Sequence, residues 1–144
     1  MAKVAKARGA MEADLHILYL LLRDAAVLRD VVIYTPLSTC YQEQTGDWID
    51  PHLGWRLPLE TISLRCFGLF RKGHRPVLSA IVINNPEGPS ETPGRPGAGF
   101  WGLRTPSGFQ VTPKRPSEDA WVAMCNAVYE QEWPVEFDQL PSML

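Results

Sequence analysis

The sequence predicts a single α+β domain, and three observations carry that prediction. Four segments repeat apolar residues at helical spacing, short runs are rich in Val and Ile, and residues 85–99 are almost entirely Pro, Gly, Ser, Thr, Asn and Glu. With 144 residues, 45% hydrophobic and 21% charged, the chain is long enough to bury a core and too apolar to be disordered throughout. Residues 1–10 read as a mobile, basic, Ala-rich arm, 11–140 as the domain and 141–144 as a tail.

The first helix is expected from about Met11 to Asp30, with Leu15, Leu18, Leu22, Ala25 and Ala26 on a broad apolar stripe. Val31-Val32-Ile33-Tyr34 suits one short strand. Thr35 then offers an N-cap with Pro36 at the first helical position, and Gly46 a stop, so a second helix should turn Leu37, Cys40 and Tyr41 inward. Asp47 to Trp55 reads as a packed connection. Pro58 opens a third helix to about Lys72, with Leu59, Ile62, Cys66, Leu69 and Phe70 inside and Thr61, Arg65, Gly68 and Lys72 outside.

Val77 to Asn84 is the clearest strand, and Phe100 to Arg104 resumes strand character, so the two should pair as a β-hairpin with residues 85–99 as a long loop. Thr105-Pro106-Ser107-Gly108 reads as a tight turn into a weaker strand, Phe109 to Thr112. Ser117 can cap a last helix whose first turn holds Glu118 and Asp119, where the dipole favours anions. Its apolar face is Trp121, Met124, Cys125 and Val128. The end of the chain sets Trp133, Val135, Phe137 and Leu140 between acids and is expected to dock as an extended segment.

The formal net charge of −2 hides an asymmetry. Residues 65–115 hold eight Lys/Arg against Glu87 and Glu91, a net of +6, whereas residues 116–144 hold six acids and no Lys or Arg. The basic block covers most of the third helix, its exit, the loop and the returning segment. A cationic face of this kind binds phosphates without reading sequence. The same two-signed map also suits docking to a protein by charge complementarity, or neutralisation of the acidic end within the fold.

The element order, helix, short strand, two helices, then strand, loop and strand, resembles a winged helix-turn-helix domain. That resemblance implies a fold with the third helix in the major groove and residues 85–99 as the wing. It implies nucleic-acid contacts from Thr61, Arg65, Arg71, Lys72, Arg75 and Arg95, with base reading falling to Thr61 and Arg65. Tyr34 to Gly46 followed by the helix at 58–72 resembles the DNA-binding half of alkyltransferase-like proteins. The Pro-Cys-His-Arg segment that carries alkyl transfer is not in this sequence. Pro76-x-Leu78-x-x-x-Val82-x-Asn84 with Pro96-Gly97-x-Gly99-Phe100 resembles small bacterial and mobile-element proteins, and that resemblance supplies no function.

Other chemistries find little support. Cys40, His52, Cys66 and His74 lack the close pairs that zinc sites use, and Gly94, Gly97 and Gly99 precede a strand pattern rather than a helix, unlike a phosphate loop. No cofactor or metal is expected, and no nucleophile motif is present. Three cysteines, an odd number and far apart, read as buried apolar residues in a reducing compartment. The start lacks a secretory pattern and no run is long enough to span a membrane, so a cytoplasmic location is expected. The leading expectation is therefore a non-enzymatic nucleic-acid-binding module. Its alternatives are a protein-interaction or inhibitor protein using residues 86–98 and the acidic end, and a small enzyme or ligand-binding domain around His52, itself open to a structural role capping its loop.

Overall fold

Asp14 sets the start of the first helix. Its carboxylate accepts from the amides of His16 (3.0 Å) and Ile17 (3.2 Å), and α1 runs Leu15–Val27. The computed structural model describes residues 13–69, 76–90 and 92–141; the expected arm at 1–10 lies outside them. α1 buries Leu18, Tyr19, Leu22 and Ala26 and stops short of the expected Asp30, because Arg29 takes the left-handed conformation (φ 56°).

β1 (Val32–Ile33) leads straight into α2 (Tyr34–Thr45). Thr35 is not the cap its side chain suggests: Ile33 holds that place without a side-chain acceptor, and Tyr34 is already helical. Pro36 tolerates the first turn because an N–H there has no intrahelical partner to lose. Gly46 ends the helix as expected, at φ 80°. The inner face differs from expectation, since Cys40 is exposed and Ser38 is buried. The Ser38 hydroxyl donates to the Ile49 carbonyl (2.6 Å) and accepts from the Trp55 indole N–H (2.8 Å), and two made bonds offset the cost of burying it.

α3 (Arg56–Leu69) starts before Pro58 and buries Leu59, Ile62, Ser63, Cys66 and Phe67. Its expected exit through Phe70, Lys72 and Gly73 lies outside the described residues.

Val77–Asn84 is not the long strand that its Val and Ile content suggests. Leu78–Ile81 forms a 3-10 turn and only Val82–Ile83 form β2. The 3-10 turn packs against α1, α3 and the last helix, Glu118–Tyr129, so its unbroken apolar run reflects burial on every side rather than a period of two. The Ala80 carbonyl, which has no ladder partner, accepts from Trp121 Nε1 (2.8 Å) and Cys125 Sγ (3.5 Å).

β2 pairs in parallel with β1, Val32 opposite Val82 and Ile33 opposite Ile83. Parallel pairing needs a long crossover, which α2 and α3 supply. The expected β-hairpin to Phe100–Arg104 is therefore not formed: Phe100 and Trp101 lie in a helical turn, α4 (Ala98–Trp101). Side chains take the carbonyls a ladder would have used, Thr112 Oγ1 donating to Phe100 (2.9 Å) and Gln110 Nε2 to Trp101 (3.2 Å). The wing of a winged helix thus has no counterpart among the described residues, and what stands is a mixed α+β arrangement. The tight turn at 105–108 forms as expected, with Gly108 at φ 91°, but the strand after it is reduced to one bridge, Arg104 to Gln110.

α5 (Glu118–Tyr129) is capped by Ser117, whose Oγ accepts from the Ala120 amide (3.0 Å), with Glu118 and Asp119 in the first turn as read from sequence. The chain then crosses α1 and α3 as an extended segment with a 3-10 turn, Phe137–Gln139, burying Trp133, Phe137 and Leu140. Tyr19 donates to the Pro134 carbonyl (2.6 Å), fixing this strap to α1. Among the described residues no helix is long and apolar enough to cross a membrane.

Candidate functional site

Of the cations singled out by sequence, the two that are described, Arg65 and Arg95, are both engaged by the chain itself. Arg65 reaches from α3 to the end of the strap, where Nε donates to the Pro141 carbonyl (2.9 Å) and Nη2 to the Leu140 carbonyl (2.7 Å). Its guanidinium lies 4.0 Å from the centre of the Phe137 ring. Arg95 pairs with the Glu118 carboxylate at the start of α5, lies 5.1 Å over the Trp121 ring and donates to the Gly94 carbonyl (3.2 Å). Thr61 donates back to the Leu57 carbonyl of its own helix (2.9 Å). Arg71, Lys72 and Arg75 lie outside the described residues. Arg65 and Arg95 are thus each engaged by a different part of the acid-rich C-terminal region.

An open cleft of about 570 Å³ lies instead at the carboxyl ends of the two parallel strands. A second hollow of about 280 Å³ adjoins it, and Tyr34, His52 and Asn84 line both. Tyr34 and Asn84 are the residues immediately after β1 and β2, so the strand register itself brings them to this edge.

His52 is placed by a tight turn. Asp50 Oδ1 accepts from the amides of His52 (2.7 Å) and Leu53 (3.1 Å), and the Gly54 amide donates to the Asp50 carbonyl (2.8 Å). Gly54 is needed there, since a Cβ would stand 2.5 Å from Ile49 Cγ2. Asp50, not His52, therefore caps this loop, and the imidazole is left to the cleft.

Asn84 holds the base of the Pro-rich loop. Its Nδ2 donates to Thr92 Oγ1 (2.8 Å) and to the carbonyls of Thr92 and Arg95 (both 3.2 Å), and its own carbonyl accepts from the Gly94 amide (3.1 Å). Residues 88–90 of that loop form a wall of the second hollow.

The floor and walls of the larger cleft are Ser79 and the apolar faces of Trp55, Leu59, Phe100 and Leu103, with Arg56 and Glu60 on the first turns of α3. Ser79 is buried and accepts from Ser63 Oγ (2.5 Å), so its own hydroxyl proton is not spent on that bond. Burial pushes the Tyr34 phenol up, so it remains a neutral donor at physiological pH. Among the described residues no hydrogen bond or ion pair engages the Tyr34 hydroxyl, the His52 ring or the Arg56 guanidinium. The cleft is therefore rich in uncommitted donors, and among the described residues Glu60 is the only acid in its lining.

The two buried thiols are not poised for chemistry. Burial pushes Cys66 up to about 12 and Cys125 up to about 11, so neither is a thiolate near neutrality. Among the described residues no three His, Cys, Asp or Glu side chains come together as metal ligands.

Of the cleft residues, sequence reasoning singled out His52 and passed over Tyr34, Arg56, Asn84 and Gly97 as site residues. The available signal was a polar residue directly after each Val-Ile pair, Tyr34 after 32–33 and Asn84 after 82–83. It acquires meaning only once the pairs are known to be neighbouring parallel strands, whose carboxyl ends are favoured ligand positions. No protein-family model, no curated protein and no solved structure matches this chain.

Proposed function

We propose that this chain is a ligand-binding domain whose site is the cleft at the carboxyl ends of β1 and β2. The observation that carries this reading is the set of uncommitted donors, Tyr34, His52, Arg56 and Ser79, around one apolar-walled cleft of about 570 Å³. That size falls within the roughly 300–1,000 Å³ of small-molecule sites, which pair apolar walls with a few placed polar groups.

The rival reading, nucleic-acid binding through the third helix, must first free Arg65. Freeing it breaks two charge-assisted bonds, to the Leu140 and Pro141 carbonyls, worth about 1.5–3 kcal/mol each, and its contact with the Phe137 ring. That is a sizeable share of the roughly 5.5–8 kcal/mol of non-specific duplex binding, which weighs against the basic face and in favour of the cleft.

The test is a thermal-shift screen of a small-molecule fragment library against the wild type and Gly97→Leu. A Cβ at Gly97 would stand 3.8 Å from the Tyr34 hydroxyl, an ordinary contact, so a leucine enters the cleft without disturbing the backbone. Fragments that raise the wild-type Tm should have no effect on Gly97→Leu. Hits that stabilise both proteins equally would refute the cleft as the site.

A further inference from the structure

Resting on the cleft reading above, the geometry points to a ligand class: a small molecule with an aromatic or apolar body and one acid group, carboxylate or phosphate, seated against Arg56 and His52. Three independent features lead there.

The first is an unfavourable placement of charge. Arg56 is the first residue of α3, where the positive end of the helix dipole repels a cation. Its neighbour one turn on, Glu60, forms no ion pair with it among the described residues, and Arg before Glu at this spacing is the poorer order. An anion in the cleft would relieve both the dipole and the isolated guanidinium, and a planar guanidinium matches a carboxylate or phosphate in a two-pronged contact.

The second is how the helices differ. α1 has the carboxylate of Asp14 at its start, and α5 has Ser117 with Glu118 and Asp119. α2, which opens on the cleft at Tyr34, has neither a side-chain cap nor an acid in its first turn, and α3 has no acid in its first turn. Of the helices longer than one turn, the positive ends supplied with anions by the chain itself are those away from the cleft; α2 and α3, which open at the cleft, are left without.

The third is the floor. Ser79 is 7% exposed, lines the cleft and accepts from Ser63, and among the described residues its hydroxyl donates to no protein acceptor. Together with the Tyr34 hydroxyl this makes the polar part of the cleft a donor surface, which selects an acceptor-rich group. Trp55, Leu59, Phe100 and Leu103 give the rest of the ligand an apolar bed.

The experiment is titration calorimetry with four probes in two matched pairs: adenosine 5′-monophosphate with adenosine, and indole-3-acetate with indole. At least one acid should bind tenfold or more tightly than its neutral partner, and which pair shows the preference identifies phosphate or carboxylate. Arg56 is exposed, so Arg56→Gln should keep the wild-type Tm while reducing that preference to threefold or less, and Arg56→Lys should retain part of it. Equal binding of acid and neutral probes, abolished by Gly97→Leu, would overturn the acid-group inference and leave the cleft reading standing. A preference unchanged in Arg56→Gln would also overturn it. Absence of binding by all four probes would overturn the inference and count against the cleft reading as well.

Discussion

The Arg65 guanidinium lies 4.0 Å over the Phe137 ring while its Nε and Nη2 donate to the carbonyls of Pro141 and Leu140. One side chain thus fastens the strap at residues 137–141 to α3. Charge-assisted bonds of this kind contribute about 1.5–3 kcal/mol each, net of water. Because Arg65 is half-buried and the acceptors are backbone atoms, the contact acts as a structural clasp.

Arg65→Ala is expected to lower stability by about 3–6 kcal/mol in urea denaturation, the sum of its two bonds. Arg65→Lys should recover less than half, because a single ammonium cannot span two carbonyls and cover the ring. Thr61→Ala, four residues earlier on α3, should change stability by less than about 0.5 kcal/mol, since its bond runs back to its own helix. A neutral Arg65→Ala would refute the clasp.

Asn84→Ala removes the donors that close the loop on Thr92 and Arg95. The expected result is faster limited proteolysis between residues 85 and 94 with a loss of global stability of about 1–2 kcal/mol or less. An unchanged cleavage rate would show that the Arg95–Glu118 pair alone holds the loop.

Much of this fold was legible in the sequence wherever one face of an element meets water. α1, α2 and α5 alternate exposure at helical spacing, and Gly46 and Ser117 mark ends by chemistry that needs no tertiary context. Val77–Asn84 was misread because it is buried all round, and a segment with no wet face carries no period. Phe100–Trp101 was misread because what fixes its turn is a pair of side-chain donors, Thr112 and Gln110, a dozen or fewer residues away. The fate of Arg65 was invisible for a different reason: its acceptors are carbonyls, which every residue has. The asymmetry of charge was real, but composition cannot say whether a cation faces solvent or its own chain.

Thiol accessibility should separate the cysteines. Cys40 is exposed and Cys66 and Cys125 are buried, so a thiol reagent at pH 8 should label one of the three quickly in the native protein and all three in denaturant. Rapid labelling of more than one thiol would contradict the packing of α3 and α5.

Alkaline pH should destabilise the fold. Burial holds the folded thiols up at about 12 for Cys66 and about 11 for Cys125, whereas the unfolded chain ionises them near about 8.5. Their contribution is thus complete below about pH 8.5 and is lost as pH climbs towards the folded values, because the unfolded state sheds protons the native state keeps. Tyr129, pushed up to about 12, extends the trend above about pH 10. Urea midpoints at pH 7, 9 and 10.5 should fall in that order, and the slope should be shallower in Cys125→Ala. A flat profile would refute the buried thiols.

Arg29 holds a left-handed conformation at φ 56° that glycine adopts without strain. Arg29→Gly should therefore raise stability, or leave it unchanged, where a typical surface substitution to glycine lowers it by roughly 0.5–1 kcal/mol; thermal denaturation reads the sign.

The most direct measurement is a map of amide chemical-shift changes across the full chain, recorded once with the best-binding acid probe and once with a short DNA duplex at low salt. The small acid should move Tyr34, His52, Arg56 and Gly97–Gly99, and the duplex should leave Thr61, Arg65 and Phe137 unmoved. Duplex-induced shifts centred on Arg65 and the strap, with a silent cleft, would contradict the cleft reading.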